Sequence, residues 1–130
     1  MATTPNFTNG ARLTKASLSA ANTNRDGTGT IVTVIIGVTG GTKVNRVTVQ
    51  NTVTTTAGMV RLFLSLDIGI TWALFDEIPI TAITVSASVA GSRIEKPYSD
   101  LELPSTSAIL GATTHNAEAA IVWAHVGDFT

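Results

Sequence analysis

One hundred and thirty residues without a cysteine suffice to bury a core of ordinary domain size, and they exclude disulfides, thiolate metal sites and cysteine nucleophiles. Eight Lys+Arg against nine Asp+Glu leave a formal net charge of −1 with no basic run to neutralise a string of phosphates, so nucleic acid is not an expected partner. Charged residues make up only 13% of the chain, about half of the usual quarter, while threonine occurs 22 times; so weakly ionised a surface can meet another protein without stripping water from charges, which points to life in an assembly.

The first thirty residues contain no continuous apolar stretch of the signal-peptide kind, and no later segment approaches the roughly 18 apolar residues of a membrane span. The expectation is a protein made in a cytoplasm, with its mature sequence beginning near Met1 and no membrane partner. Residues 1–27 read as an N-terminal arm, polar and too poor in large apolar side chains to form its own core, with Phe7, Leu13 and Leu18 as candidate contacts on a neighbour. Within it LTKASLSAA, residues 13–21, spaces Leu13, Ala16, Ala20 and Ala21 in a way that predicts a short helix or, failing that, an extended arm.

Residues 28–130 read as a β-sandwich domain built on period-two alternation. TIVTVIIGV puts Val32, Val34, Ile36 and Val38 on one face and Ile31, Thr33 and Ile35 on the other, before a turn at Gly40-Gly41. VNRVTVQNTV sets Val47, Val49 and Val53 against Arg46, Thr48, Gln50 and Thr52, a strand with one wet face. VRLFLSLD places Leu62, Leu64 and Leu66 inward and Arg61, Phe63 and Ser65 outward, after which Asp67-Ile68-Gly69 turns the chain into ITWALFDEI. Pro79 marks an edge or a strand boundary before ITAITVSASV, where Ile83, Val85, Ala87 and Val89 alternate with Thr84, Ser86 and Ser88.

Residues 91–107 carry five of the seventeen charges and two of the four prolines, and read as an exposed connection with a short strand around Asp100 to Leu103. SAILGAT and AEAAIVWAHV supply the last two strands. In the latter Ala119, Ile121 and Trp123 occupy one face and Ala120, Val122, Ala124 and Val126 the other, so the strand belongs at the centre of the core or against a neighbouring subunit, with Ile121, Trp123 and Val126 as candidate contacts. About eight short strands at spacings of roughly 8 to 12 residues predict an all-β fold, an antiparallel sandwich or jelly roll.

The motif Ser65-x-Asp67-x-Gly69-x-Thr71-Trp72 has the spacing of the Asp box, the hairpin signature of sialidase propeller blades. Its residues hold a turn and catalyse nothing; it occurs once, whereas a propeller needs several blades of about 40 to 50 residues each. The single tyrosine, Tyr98, sits in a proline-flanked loop, not in the arginine-rich setting of a sialidase nucleophile. His115 and His125 lack further ligands at metal-binding spacing. Asp76 and Glu77, adjacent on a strand, point to opposite faces and cannot flank one glycosidic bond, and Asp100 and Glu102 share a face without a third oxygen-rich segment. No catalytic, metal or cofactor site is predicted; Trp72 and Trp123 are the aromatic anchors of core or subunit contact.

Several stretches together, FTNGARLTKASLSAANTNRDGTGT, then TTTAGMVRLFLSLDIGITWALFDEIPITAITVSASV, then LPSTSAILGATTHNAEAAIVWAHVGDF, resemble a group of small β-rich proteins encoded among the virion structural genes of tailed bacteriophages and prophages. The similarity runs over residues 7–129 and is most distinctive at residues 55–63 and 114–118. It implies a virion component made in the host cytoplasm: foremost a capsid decoration or cement protein, an oligomer whose partners are the major capsid protein and copies of itself, with a tail or fibre-associated protein as the alternative. A carbohydrate-binding sandwich module is the competing class from fold analogy.

Overall fold

The computed structural model describes Thr8 and residues 10–129, which form nine strands and no helix. They are β1 (Gly10–Leu18), β2 (Val32–Ile36), β3 (Thr42–Asn51), β4 (Gly58–Ser65), β5 (Ala73–Ile80), β6 (Arg93–Pro97), β7 (Glu102–Leu103), β8 (Ile109–Thr114) and β9 (Ala120–Asp128). Two antiparallel sheets face each other, one in the order β1-β9-β3-β6 with the two-residue β7 also on β3, the other in the order β2-β8-β4-β5.

The pairings β1 with β9, β2 with β8, β3 with β6 and β4 with β5 are all antiparallel and nested. The first half of the chain therefore runs back along the second as one folded ribbon, the winding of a jelly roll, and the β4–β5 hairpin is where the ribbon turns. The expected sandwich or jelly roll is what forms.

The core lies between the sheets and is set by alternation. Val44, Val47 and Val49 of β3, Val60 and Leu62 of β4, Leu110 and Ala112 of β8, and Val122 and Ala124 of β9 have no exposed surface. Each fully covered Val or Leu contributes about 1.5–3 kcal/mol relative to exposure. Side chains lace both open sides of the sandwich. On one, Thr14 Oγ1 donates to Val34 O (2.9 Å), and Arg12 forks onto Asp128 (3.0 and 3.1 Å) while reaching Ile36 O (3.2 Å). On the other, Tyr98 OH donates to Asp76 Oδ2 (2.8 Å), Lys96 pairs with Asp76 (3.3 Å), and the Phe75 and Tyr98 rings sit 5.5 Å apart. Pro79 lies in β5, an edge strand, where its missing N–H costs no ladder bond.

Several expectations give way. The helix over residues 13–21 does not form, because Gly10–Leu18 is a strand paired along its whole length with β9; nine residues of the segment read as an arm are thus built into the sheet. A bulge between Thr33 and Ile35 breaks the phase of β2, so Val34 and Ile35 are both buried and Ile36 is exposed. Residues 81–90 carry no regular strand, only isolated bridges Thr55–Ile83 and Ser86–Val89. Arg93–Pro97, read as connection, is β6, and Val53 lies beyond the end of β3, exposed.

Candidate interaction site

The turn of the ribbon is the Asp box, and its hydrogen bonds explain its shape. Ser65 Oγ, at the end of β4, donates to Asp67 Oδ1 (2.8 Å) and accepts from the Gly69 N–H (2.8 Å). Asp67 in turn accepts from the Thr71 N–H (2.9 Å) and hydroxyl. These bonds from Thr71, together with that from Ser65, hold the Asp67 carboxyl down to about 2. Ile68 and Gly69 both take left-handed backbone, φ 63° and 82°, and the Ile68 N–H is anchored on Ser107 O (3.1 Å). Because the odd-numbered side chains bond back into the loop, the even-numbered ones are turned out: Leu66, Ile68 and Ile70 are 71%, 70% and 79% exposed. The expectation that Leu66 points inward is corrected for this reason, the alternation of β4 ending at Ser65. A cleft of about 420 Å³ opens beside the tip, lined by Leu64, Leu66, Asp67, Thr71, Trp72 and Ala73.

The outer face of the second sheet is covered by the chain's own connections. Trp72 and Ile31 lie over Gly111, where a Cβ would stand 2.8 Å and 2.6 Å from them, and Gly111 is the cross-strand partner of Phe63. Phe63 thus faces away from the inter-sheet core and still has no exposed surface. The 19–31 connection is held by the Asn22 N–H on Thr114 O (2.9 Å), by Asn22 Nδ2 on Thr28 O and Thr30 O (3.1 Å each), and by Arg25 on Glu77. Glu77 also binds the buried Arg61 (2.9 Å), while its neighbour Asp76 serves Tyr98 and Lys96, so the two carboxylates point apart as expected. Burial opposes ionisation of Glu77, but hydrogen bonds from Arg61 and Arg25 outweigh it and keep its carboxyl below the usual range.

Among the described residues no connection crosses the outer face of the first sheet; the cover seen there is Thr8, whose side chain lies over Gly127, 2.6 Å from where a Cβ would stand. In register across this face run Leu13–His125–Arg46, Lys15–Trp123–Thr48 and Ser17–Ile121–Gln50. Leu13 is 55% exposed, and Ile121, Trp123 and His125 are half-buried. Lys15 Nζ stands 5.9 Å from the Trp123 ring centre, and His125 lies between Arg46 (3.4 Å) and Thr48 (3.3 Å). Burial, with the nearby Arg46 charge, lowers the His125 pKa. Two shallow hollows indent this face, about 320 Å³ beside Leu13, Asn45 and His125 and about 280 Å³ between Thr48, Arg93 and Trp123.

Among the predicted contact residues, Leu13, Ile121 and Trp123 therefore gather on one open face. Leu18 and Val126 do not: their alternation turns them into the inter-sheet core, 3% and 4% exposed, and they are corrected to core residues. Trp72 is half-buried on the other side of the molecule as the lid over Gly111, and Phe7 lies outside the described residues. Sequence reasoning missed Leu66, Ile68 and Ile70. The signal was in the Asp box, whose Ser, Asp and Thr must bond inward and so push the intervening positions out.

His115 follows the end of β8 in the second sheet and His125 lies in β9 of the first, and among the described residues no cluster of three or more His, Asp or Glu could hold a metal ion. No protein-family model matches the chain, and no curated protein shows significant similarity to it.

Proposed function

We propose that this chain is a bacteriophage virion structural protein, a capsid decoration or cement protein that binds the major capsid lattice as an oligomer and stabilises it by contact. The observation that carries the reading is the hairpin at the ribbon's turn, which internal hydrogen bonds stiffen into a mount for three aliphatic side chains at least 70% exposed. A rigid apolar tip loses little conformational freedom on binding and gains the full value of burial. The low charge, the Thr-rich surface and the resemblance of residues 7–129 to phage virion proteins supply the setting. Many such modest contacts repeated over a lattice add by avidity, so no single deep pocket is required.

The glycan-binding alternative is weaker because Trp72, the aromatic of the Asp box, spends its ring on Gly111 and the Asp67 carboxylate is occupied by its own loop. The test is to look for a major capsid gene beside the chain's own and to co-sediment the purified chain with expanded shells assembled from that gene's product. Saturable binding that raises the melting temperature of the shells supports the reading. Binding to tails but not shells, or no binding to either, defeats it.

A further inference from the structure

We infer that the 65–72 hairpin tip of one copy docks on the outer face of the β1-β9-β3-β6 sheet of a second copy, head to tail. The inference rests on that reading and deepens its oligomer part: it gives the tip a second copy as its occupant, in a contact that forms with no capsid present.

The backbone at Ile68 is the first reason. A β-branched residue at φ 63° is a steric outlier, and its side chain is 70% exposed, so the fold gains no packing in return. Asn or Gly would fill that position at lower strain. A strained, exposed isoleucine flanked by exposed Leu66 and Ile70 makes sense where all three are covered by something outside the chain.

Charge is the second, independent reason, and it selects the partner. Four of the five ion pairs engage Arg12, Arg25, Arg61 and Lys96 at the sides and on the second sheet; the fifth joins Arg93 to Glu95. Lys15, Lys43 and Arg46 are left with no carboxylate in salt-bridge range among the described residues; Lys15 and Arg46 stand on the outer face of the first sheet, beside Trp123 and His125, and Lys43 lies on β3 across from Gly127. Asp67 lies inside the tip, and Asp26 lies on the 19–31 connection, whose Gly27 packs against Trp72. Neither is in an ion pair with a cation. Of the other carboxylates outside ion pairs, Asp100 and Glu118 sit on connections and Glu102 in β7, and none of the three stands on an apolar tip.

Shape agrees with charge. The tip is convex and aliphatic, and the receiving face has two hollows that share Leu13 and His125. The hairpin springs from one sheet and the face looks out from the other, so among the described residues each copy presents one surface of each kind. Repetition of such a contact closes into a ring or runs on as a filament.

The experiment uses the full chain alone, by sedimentation velocity over a wide concentration range. The parent protein is expected to form species larger than a dimer, weakened by high salt because the contact is charge-paired. A tip variant, I68N with I70S, and a face variant, K15E with R46E, are each expected to weaken self-association at least about tenfold. All four positions are exposed, so melting curves no lower than the parent's check that both variants fold; Leu66→Ser and Trp123→Ser are the second choices. Mixed one to one, the variants retain one intact tip and one intact face between them and are expected to form a heterodimer that grows no further. A parent that stays monomeric at every concentration overturns the inference, as does a tip or face variant that assembles like the parent, or a mixture that stays monomeric. Shell binding by a monomeric parent would sink this contact while leaving the capsid reading standing.

Discussion

The two outer faces of the sandwich start from similar sequence and end differently. On the second sheet Phe63 and Gly111 face outward, and the chain lays Trp72, Ile31 and the 19–31 connection over them until Phe63 has no exposed surface. On the first sheet Ile121 and Trp123 face outward, and only Lys15, Leu13 and neighbouring polar side chains lie against them. Each strand is apolar on both sides, yet one face is crossed by a connection of its own chain and the other, among the described residues, carries only Thr8 over Gly127. An apolar outer face is therefore not by itself a contact surface; it becomes a candidate where no described segment crosses it.

The comparison breaks most visibly by truncating one aromatic on each face. Phe63→Ala removes a fully covered ring and is expected to cost about 3–5 kcal/mol, whereas Trp123→Ala on the open face should cost about 1 kcal/mol or less in the isolated chain. Thermal melting of the two variants checks this; equal losses would mean that the first sheet's outer face is as well covered as the second's. Gly111→Val comes next. Its new methyl groups meet Trp72 and Ile31 inside ordinary contact distance, so the lid must lift, at about 1–3 kcal/mol and with increased quenching of Trp72 fluorescence by acrylamide.

Acid probes the tip that joins the two faces in the proposed contact. The folded Asp67 carboxyl sits at about 2, below its ordinary 3.8, so its contribution to stability is fully present above about pH 4 and fades as pH falls through 2. Asp67→Asn should melt lower than the parent at neutral pH, with the gap closing between pH 4 and 2. Other carboxylates with lowered values, Asp26, Asp76, Glu77 and Asp128, titrate in both proteins and cancel in that difference. A gap independent of pH would assign the loss to packing and not to the charge.

Most of the ribbon was legible because valine and leucine alternate where one face is buried: β3, β4 and β9 follow from that pattern alone. It failed where the physics was not alternation. In β1 the spacing of Leu13, Ala16, Ala20 and Ala21 suits a helix as well as a strand, and the strand wins through nine cross-strand partners on β9 that no local pattern reveals. β6 hid behind Arg93, Glu95 and Pro97, all on its wet face, whereas residues 81–90 alternate well but find no neighbouring strand to pair with. The open face was half visible, in the two apolar sides of β9. The tip was missed because Leu66 was read as continuing β4, when the turn chemistry begins one residue earlier, at Ser65.

The smallest expected effect separates the two roles of the hairpin, holding the turn and presenting its apolar side chains. Ile68→Asn keeps every hydrogen bond of the Asp box, since those run through Ser65, Asp67, Gly69 and Thr71 and the Ile68 side chain takes no part. It also replaces a β-branched residue at φ 63° by one that tolerates that backbone. The isolated chain should therefore become more stable, by about 1 kcal/mol or less, seen as a small rise in melting temperature. Self-association should fall in the same sample. A stability gain coupled to a loss of contact is what a residue held for an external surface predicts. A lower melting temperature would instead show that Ile68 packs within its own chain, and the tip would then lose its claim to be a presented surface.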